Sequence, residues 1–457
     1  MMKNMPSPRK PNVIWIFGDQ HRAQSLGYRG DPNLCTPNID NLARNGRRFD
    51  QAVAGAPWCC PFRAALLTGL YPHQNGVPQT PGRLDPSIPT VTAPLRENGY
   101  HTAYVGKWHL SGSNSPDHRI PTQERGGFDF WQGYENNNNQ QEVFVYGTNA
   151  ETPRRLPGYE TDSMTDIFLE HLSGHVEKDG EDYQPFFAVL SVQPPHSPYV
   201  PPHSSGRSGN PRNPSAIKLR PNVPPVPWVQ EKARLDIDGY CAMIENLDDN
   251  IGRIRQKLKD LAVDQDTWFV FFSDHGDMLG SHAQWEKSSP WEESIRIPFI
   301  VSRLGGQERM RSGICDAVLN HVDIAPTTLG LCGIQPPDTM VGHNYAHECF
   351  ADQDPVKQRT PPPGEAPESA FLQQIPRKFH PHSVNKAWRG VVTRDGWKYV
   401  CQEGTDWLLH NLREDPYELA NYAHDHVFRE ARQRCHDLLT QWIEKTGDTF
   451  PLPSRDE

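Results

Sequence analysis

Five short apolar runs, most of them ending at a polar or charged side chain, constrain this chain more than any other pattern in it. Val13-Ile14-Trp15-Ile16-Phe17 is continuous, β-branched and aromatic, and stops at Gly18-Asp19. Residues 102–105, 186–192, 268–273 and 298–302 repeat the theme. Strands without polar alternation are buried on both faces, as in parallel sheets covered by helices. Helical patterns lie between them, at 161–172 and 235–261. In the second, Ile237, Cys241, Ile244, Leu247, Ile251, Ile254, Leu258 and Leu261 recur at three- and four-residue steps along one face. Thr36-Pro37 supplies an N-cap and a first-turn proline for a helix through Leu42 that stops near Gly46. Strands alternating with helices predict an α/β sandwich with a mostly parallel central sheet flanked by helices. Asp19, Lys107, His196 and Asp274 sit just past the ends of four of these runs. Open α/β sheets bind ligands at that edge of their strands, so one rim is predicted to collect this chemistry.

Composition narrows the function classes. With 56 acidic against 46 basic residues the formal net charge is -10. That is the wrong sign for a nucleic-acid binder, which displaces counterions with basic patches. A local cluster of Lys, Arg and His in a cleft still suits an anionic substrate. Nine cysteines without a C-x-x-C pair signal neither a zinc ribbon nor a thioredoxin-like motif. No glycine-rich nucleotide fingerprint is present. The first apolar run is too short for a signal-peptide core or a membrane span, so a cytoplasmic location away from membranes is the expectation.

Residues 111–160, with the Asn136–Asn139 run, and the proline-rich 194–228 read as irregular pocket walls or lids. The tract 354–369, with Pro361-Pro362-Pro363, reads as a linker. It would join a catalytic α/β domain, 1–353, to a smaller C-terminal α+β subdomain, 370–457. There, short segments at 390–393, 397–401 and 407–410, followed by a helix from about Val427 to Thr446, predict a small antiparallel sheet with a covering helix.

The polar tips carry recognisable chemistry. Asp19-Gln20 and Asp274-His275 together offer two carboxylates, an amide oxygen and an imidazole. Hard divalent cations prefer oxygen donors, and an added histidine widens tolerance toward manganese or zinc. A lone Asp at a strand end is equally a turn or helix cap. Between the two pairs lies Cys59-Cys60-Pro61-Phe62-Arg63, followed by Leu67-Thr68-Gly69. Pro61 suits a first helical turn and Ala64-Ala65-Leu66-Leu67 favours helix, which puts Cys59 at the positive end of a helix dipole. A thiol there could be a low-pKa nucleophile. Arg63 falls one turn further on, and Lys107 and His109, two apart, face the same way on an extended segment. His343 and His347 are spaced i, i+4 without a third ligand and read as surface histidines.

Read as C-x-P-x-R-x-x-x-L-T-G, the stretch from Cys59 to Gly69 resembles the signature of the sulfatase family. Further likeness runs through Pro11-Asn12-Val13, Thr36-Pro37-Asn38-Ile39-Asp40, Gly106-Lys107-Trp108-His109, His321-Val322-Asp323-Ile324-Ala325-Pro326-Thr327, Trp397-Lys398-Tyr399 and Leu412-Arg413-Glu414-Asp415-Pro416-Tyr417-Glu418-Leu419. The resemblance implies an alkaline phosphatase-like sandwich and a Cys59 oxidised to formylglycine by a transient maturation enzyme. It implies one divalent cation, calcium first among calcium, manganese, magnesium and zinc, held by Asp19, Gln20, the modified Cys59, Asp274 and His275. Arg63 would contact the diol or the carboxylates, and Lys107 with Lys287 would clamp the anion. His196 would protonate the leaving oxygen, and His109 would deprotonate the second hydroxyl so that sulfate is expelled. The substrate implied is an aryl or carbohydrate sulfate monoester. His380, His382 and Arg389 lie in the region that in this family reaches over the pocket. Gln20, His275 and Phe62 depart from the commoner Asp, Asn and Ser. The first two also look like the arrangement in phosphonate monoester and phosphodiester hydrolases, which is the alternative function. A non-catalytic metal-binding homologue with an unmodified Cys59 is the second.

Overall fold

The computed structural model describes residues 10–147, 152–179, 183–202, 213–305, 307–359, 362, 364–375 and 384–455. Its main sheet is built from β1 (Asn12–Gly18), β2 (Arg47–Phe49), β3 (His101–Lys107), β4 (Phe130–Tyr134), β7 (Phe186–Val192), β8 (Thr267–Ser273), β9 (Phe299–Arg303) and β10 (Gly313–Cys315). A hairpin of β5 (Val143–Val145) and β6 (Arg154–Leu156) lies apart from it. The spatial order is β10-β2-β9-β8-β1-β7-β3-β4. Every neighbouring pair is parallel except those made by β9, which is antiparallel to both β8 and β2. The expected architecture is therefore present: a mostly parallel sheet between two helical layers.

The continuous apolar runs are explained by that sandwich. Val13, Trp15 and Phe17 of β1 enter one core, with Phe62, Ala64 and Leu66 from the helix Cys59–Thr68. Ile14 and Ile16 enter the other, with Leu247, Ile251, Ile254 and Leu258 from the helix Pro227–Asp260. Alternate side chains thus point to opposite faces, and both faces are dry.

Several boundaries differ from the sequence reading. The long helix begins at Pro227 rather than near 235, because a proline at N1 starts a helix as readily as it disrupts one. Residues 111–160 are not wholly irregular: β4, Phe-Trp-Gln-Gly-Tyr, pairs with β3 at the sheet edge. The strands β2 and β10 have three residues each, too few to leave a pattern. The tract 354–369 carries a helix, Pro355–Arg359, and the buried Asp354 carboxylate accepts from Arg303 at 3.4 Å.

Beyond it, β11 (Ser369–Gln374), β12 (Trp388–Thr393), β13 (Trp397–Gln402) and β14 (Thr405–Asn411) form an antiparallel sheet in sequence order. Three of these strands correspond to the expected segments; β11 was not read. The helix Arg429–Thr446 covers one face through Cys435 and Leu439 against Phe371 and Tyr399. Leu372, Trp388, Val392 and Val400 on the other face pack on Val53, Ile295 and Val318 of the larger unit. Among the described residues, no helix is long and apolar enough to cross a membrane.

Candidate active site

The strands β8, β1, β7 and β3 are consecutive in the sheet and parallel, so their C-terminal ends share one edge. Each delivers a polar residue there: Asp274, Asp19, His196 and Lys107. Gly106, at φ +111°, lets β3 approach β7 so closely that a Cβ would lie 1.9 Å from the Ser191 carbonyl oxygen. Gln20, His109, Glu286 and Ser288 all hold positive φ (73°, 58°, 63° and 68°) although none is glycine. Such backbone strain gathers where surrounding structure fixes a functional side chain.

Cys59 opens a ten-residue helix in which every residue is buried. Its sulfur lies 3.2 Å from His275 Nε2 and 3.6 Å from Asp19 Oδ1. Burial first, then the Asp19 carboxylate, pushes the thiol up to about 11. Burial thus opposes the lowering that a helix N-terminus favours.

Arg63, one turn on, donates to Asp19 Oδ2 at 3.2 Å and Asp274 Oδ2 at 3.3 Å. Its other terminal nitrogen holds the Lys107 carbonyl and Ser191 Oγ, both at 2.8 Å. Lys107 donates to Asp19 Oδ2 at 2.6 Å. Burial alone would raise Asp19, but Lys107, His196, Lys287 and Arg63 hold it well below the usual carboxylate range. Asp274 moves the other way, raised by burial and by the Asp19 charge.

Lys287, buried, donates to Gln20 Oε1 at 2.6 Å and to His196 Nε2 at 2.7 Å. Burial opposes its charge, yet the Cys59 sulfur, Asp19, Glu286 and Asp274 raise it above the ordinary lysine value. His196 Nδ1 donates to the Ser197 carbonyl at 2.6 Å, leaving Nε2 to accept from the lysine. Burial and Lys287 keep this imidazole well below its usual value. His109 meets Asn114 Oδ1 at 3.0 Å, and its Nδ1 is buried without a protein partner. Burial followed by the Lys107 charge holds it low as well.

The donor set fits a divalent cation. Ligand atoms of Asp19, Cys59, Asp274 and His275 all lie within 4.8 Å of one another. His275 Nδ1 is engaged by the Gly276 carbonyl at 3.0 Å, which turns the Nε2 lone pair toward the carboxylates, a tautomer suited to ligation. Gln20 borders this group, with Oε1 on Lys287 and Nε2 donating to Asp277 Oδ2 at 2.6 Å. Three cations, Arg63, Lys107 and Lys287, surround two carboxylates, a balance that favours an anion in the remaining space.

Other sequence candidates fall elsewhere. His343 and His347 are half-buried, packed against Tyr345 and Phe350, rather than on the surface. Burial is decided by the neighbouring loop, which i, i+4 spacing does not report. Arg389 is locked to Asp448 at 2.5 and 3.1 Å. His380 and His382 lie outside the described residues. Ser191, Asp277 and Asn114 were not assigned roles: each acts through another side chain, and no local pattern marks that.

The sulfatase family profile matches residues 11–334, which include every residue of this cluster. The chain belongs to the sulfatase family. The profile described as N-sulphoglucosamine sulphohydrolase, C-terminal, matches residues 280–445. An ulvan-active sulfatase of Formosa agariphila is 30% identical over 98% of this chain and 84% of its own. A solved structure from Bacteroides thetaiotaomicron, titled for the metabolism of multiple glycosaminoglycans, superposes with a TM-score of 0.82 at 25% identity, covering 96% and 97% of the two chains. A phosphonate monoester hydrolase of Agrobacterium radiobacter shares the fold at a TM-score of 0.72 and 22% identity, covering 95% and 96%. As a sulfatase, the protein is a sulfuric ester hydrolase.

Proposed function

We propose that this sulfatase hydrolyses a carbohydrate sulfate monoester, with aryl sulfates as simpler substrates, at the cluster around Cys59. The observation that carries the reading is three buried cations and two histidines arranged about the Cys59 position at the strand tips. Oxidation of Cys59 to formylglycine by a maturation enzyme would replace sulfur with oxygen at that position. A divalent cation bound by Asp19, Asp274, His275 and the modified Cys59, with Gln20 beside them, lowers the pKa of a nucleophilic hydroxyl when present. The names of the ulvan-active and glycosaminoglycan relatives support the carbohydrate class.

The chain's own residues then divide the work. Arg63 holds both carboxylates in place and braces the Lys107 carbonyl, so the rim keeps its geometry when an anion enters. Lys107 and Lys287 neutralise the sulfate oxygens in a site where water is excluded and charge interactions are strong. The Lys287 ammonium and the His196 Nε2 that accepts from it face the departing alcohol oxygen as a pair, and the proton that oxygen takes up comes from the ammonium, directly or through His196 Nε2. His109, neutral and with a free Nδ1, accepts the proton whose removal releases sulfate.

Mass spectrometry of the peptide spanning Cys59 tests the first step: an unchanged thiol in an active preparation refutes the aldehyde, and an unchanged thiol without turnover favours the non-catalytic homologue. The second reading, a phosphonate monoester or phosphodiester hydrolase, draws on Gln20 and His275. Parallel assays with the sulfate and phosphonate monoesters of one phenol separate the two, and dominant phosphonate turnover overturns the sulfatase preference.

A further inference from the structure

A cavity of about 510 Å³ opens on the same sheet edge, displaced toward β2, and no residue of the Cys59 cluster lines it. Its walls come from the segment after β1, the end of β2, the loop around Lys218–Pro221, Glu292 with Arg296, and the β12–β13 and post-β14 turns. Arg22, Arg29, Lys218, Arg220, Arg296 and Arg413 line it, against Asp31, Asp50 and Glu292.

Three of the cations are ion-paired: Arg29 with Asp50 at 3.0 Å, Arg220 with Glu293 at 2.8 Å and Arg296 with Glu292 at 2.7 Å. Among the described residues no carboxylate pairs with Arg22, Lys218 or Arg413. Arg22 and Arg296 are 2% and 5% exposed, and each keeps a buried terminal nitrogen without a protein partner. Buried guanidinium groups are normally satisfied, so these two offer free donors to an acceptor, although Glu292 balances the Arg296 charge and Glu293 lies within reach of the Arg22 charge. The lining carries six cations against three carboxylates, and an excess of one sign on a concave surface focuses its field into the cavity. The volume lies within the ~300–1,000 Å³ of small-molecule sites.

We propose that this cavity is a second anion site, taking a sulfated sugar unit away from the bond that is cleaved. The proposal rests on the carbohydrate-sulfate reading above and deepens it: the substrate class becomes a glycan bearing more than one anionic group. Both the larger unit and the four-stranded sheet contribute cations, so the site exists only where the two are packed together.

The test uses the full chain carrying Lys218→Glu and Arg413→Glu, with Lys218→Gln and Arg413→Gln as a milder pair should the first misfold. Calorimetric binding of sucrose octasulfate, a compact polysulfated sugar, is expected to weaken roughly tenfold or more and to lose part of its salt dependence. Turnover of an aryl sulfate, which needs only the Cys59 cluster, should stay within about twofold. Unchanged sugar binding in both variant pairs overturns the proposal. Inorganic sulfate binding as tightly as the sugar, with the same loss, also overturns it by reducing the cavity to a site for free anion. Absence of aryl sulfate turnover by the parent is a separate result, and defeats the sulfatase reading rather than this one.

Discussion

Two clusters of this molecule hold similar donors and do different things. Asp19, Cys59, Asp274 and His275 converge at the strand tips, and His282, Glu293 and Glu418 converge at the seam with the four-stranded sheet; each set lies within 4.8 Å. At the seam, Glu293 Oε1 accepts from Arg220 and Asn222, both at 2.8 Å, and Asn222 also reaches His282 Nε2 at 3.2 Å. Glu418 takes the Glu292 backbone N–H at 2.7 Å and pairs closely with Lys398. Each carboxylate there has a cation of its own, Arg220 or Lys398, although Glu293 Oε2 is buried without a hydrogen-bond partner. At the strand tips, His275 Nε2 and Asp19 Oδ1 meet only each other, the Cys59 sulfur and Asp274, while the cations hold the outer oxygens. Counting ligand types would rank the clusters together; Cys59 at the start of its helix, with Arg63, Lys107 and Lys287 about it, sets the strand-tip cluster apart.

The sharpest way to break this contrast is Cys59→Ala. Turnover should fall by roughly 10⁴-fold or more while thermal unfolding is nearly unchanged. Loss of folding on that substitution would instead make Cys59 a structural residue. Next comes metal content, measured by elemental analysis with activity before and after chelation. One ion per chain is expected, lost in Asp274→Ala and kept in His282→Ala; an ion that follows His282 would reverse the assignment. His196→Ala should cost alkyl sulfates about 10²-fold or more and activated aryl sulfates far less, since only poor leaving groups need the proton. Equal losses would remove His196 as the acid. The smallest effect on turnover belongs to the seam: Glu418→Ala should leave aryl sulfate hydrolysis within a few-fold. It leaves the buried Lys398 short of a partner, so denaturant unfolding should show a loss of about 3 kcal/mol.

Much of the architecture was legible because parallel strands covered on both faces carry no alternation, and the runs at 186–192 and 268–273 coincide with β7 and β8. The edge strand β4 was hidden by Gln132 and Gly133, which read as loop although pairing with β3 holds them extended. β11 was hidden by its position beside the proline-rich tract and by its polar end, Gln373-Gln374. At the rim, Asp19, Lys107, Asp274 and Cys59 announced themselves through strand ends and motif. Ser191 and Asp277 did not, because each matters through a partner 128 or 257 residues away, Arg63 and Gln20 respectively.

By itself the amino-acid sequence determined which segments are buried strands, which residues end them and which family signature lies between. Those are local properties, written in periodicity and in side-chain chemistry at fixed spacing. The tertiary structure alone decided that β8, β1, β7 and β3 are neighbours, that Lys287 reaches His196 across 91 residues of chain, and that one of two similar clusters gathers Arg63, Lys107 and Lys287 about a cysteine. Such facts depend on strand order and on which polar groups satisfy one another, and both arise from long-range packing that no window of sequence contains.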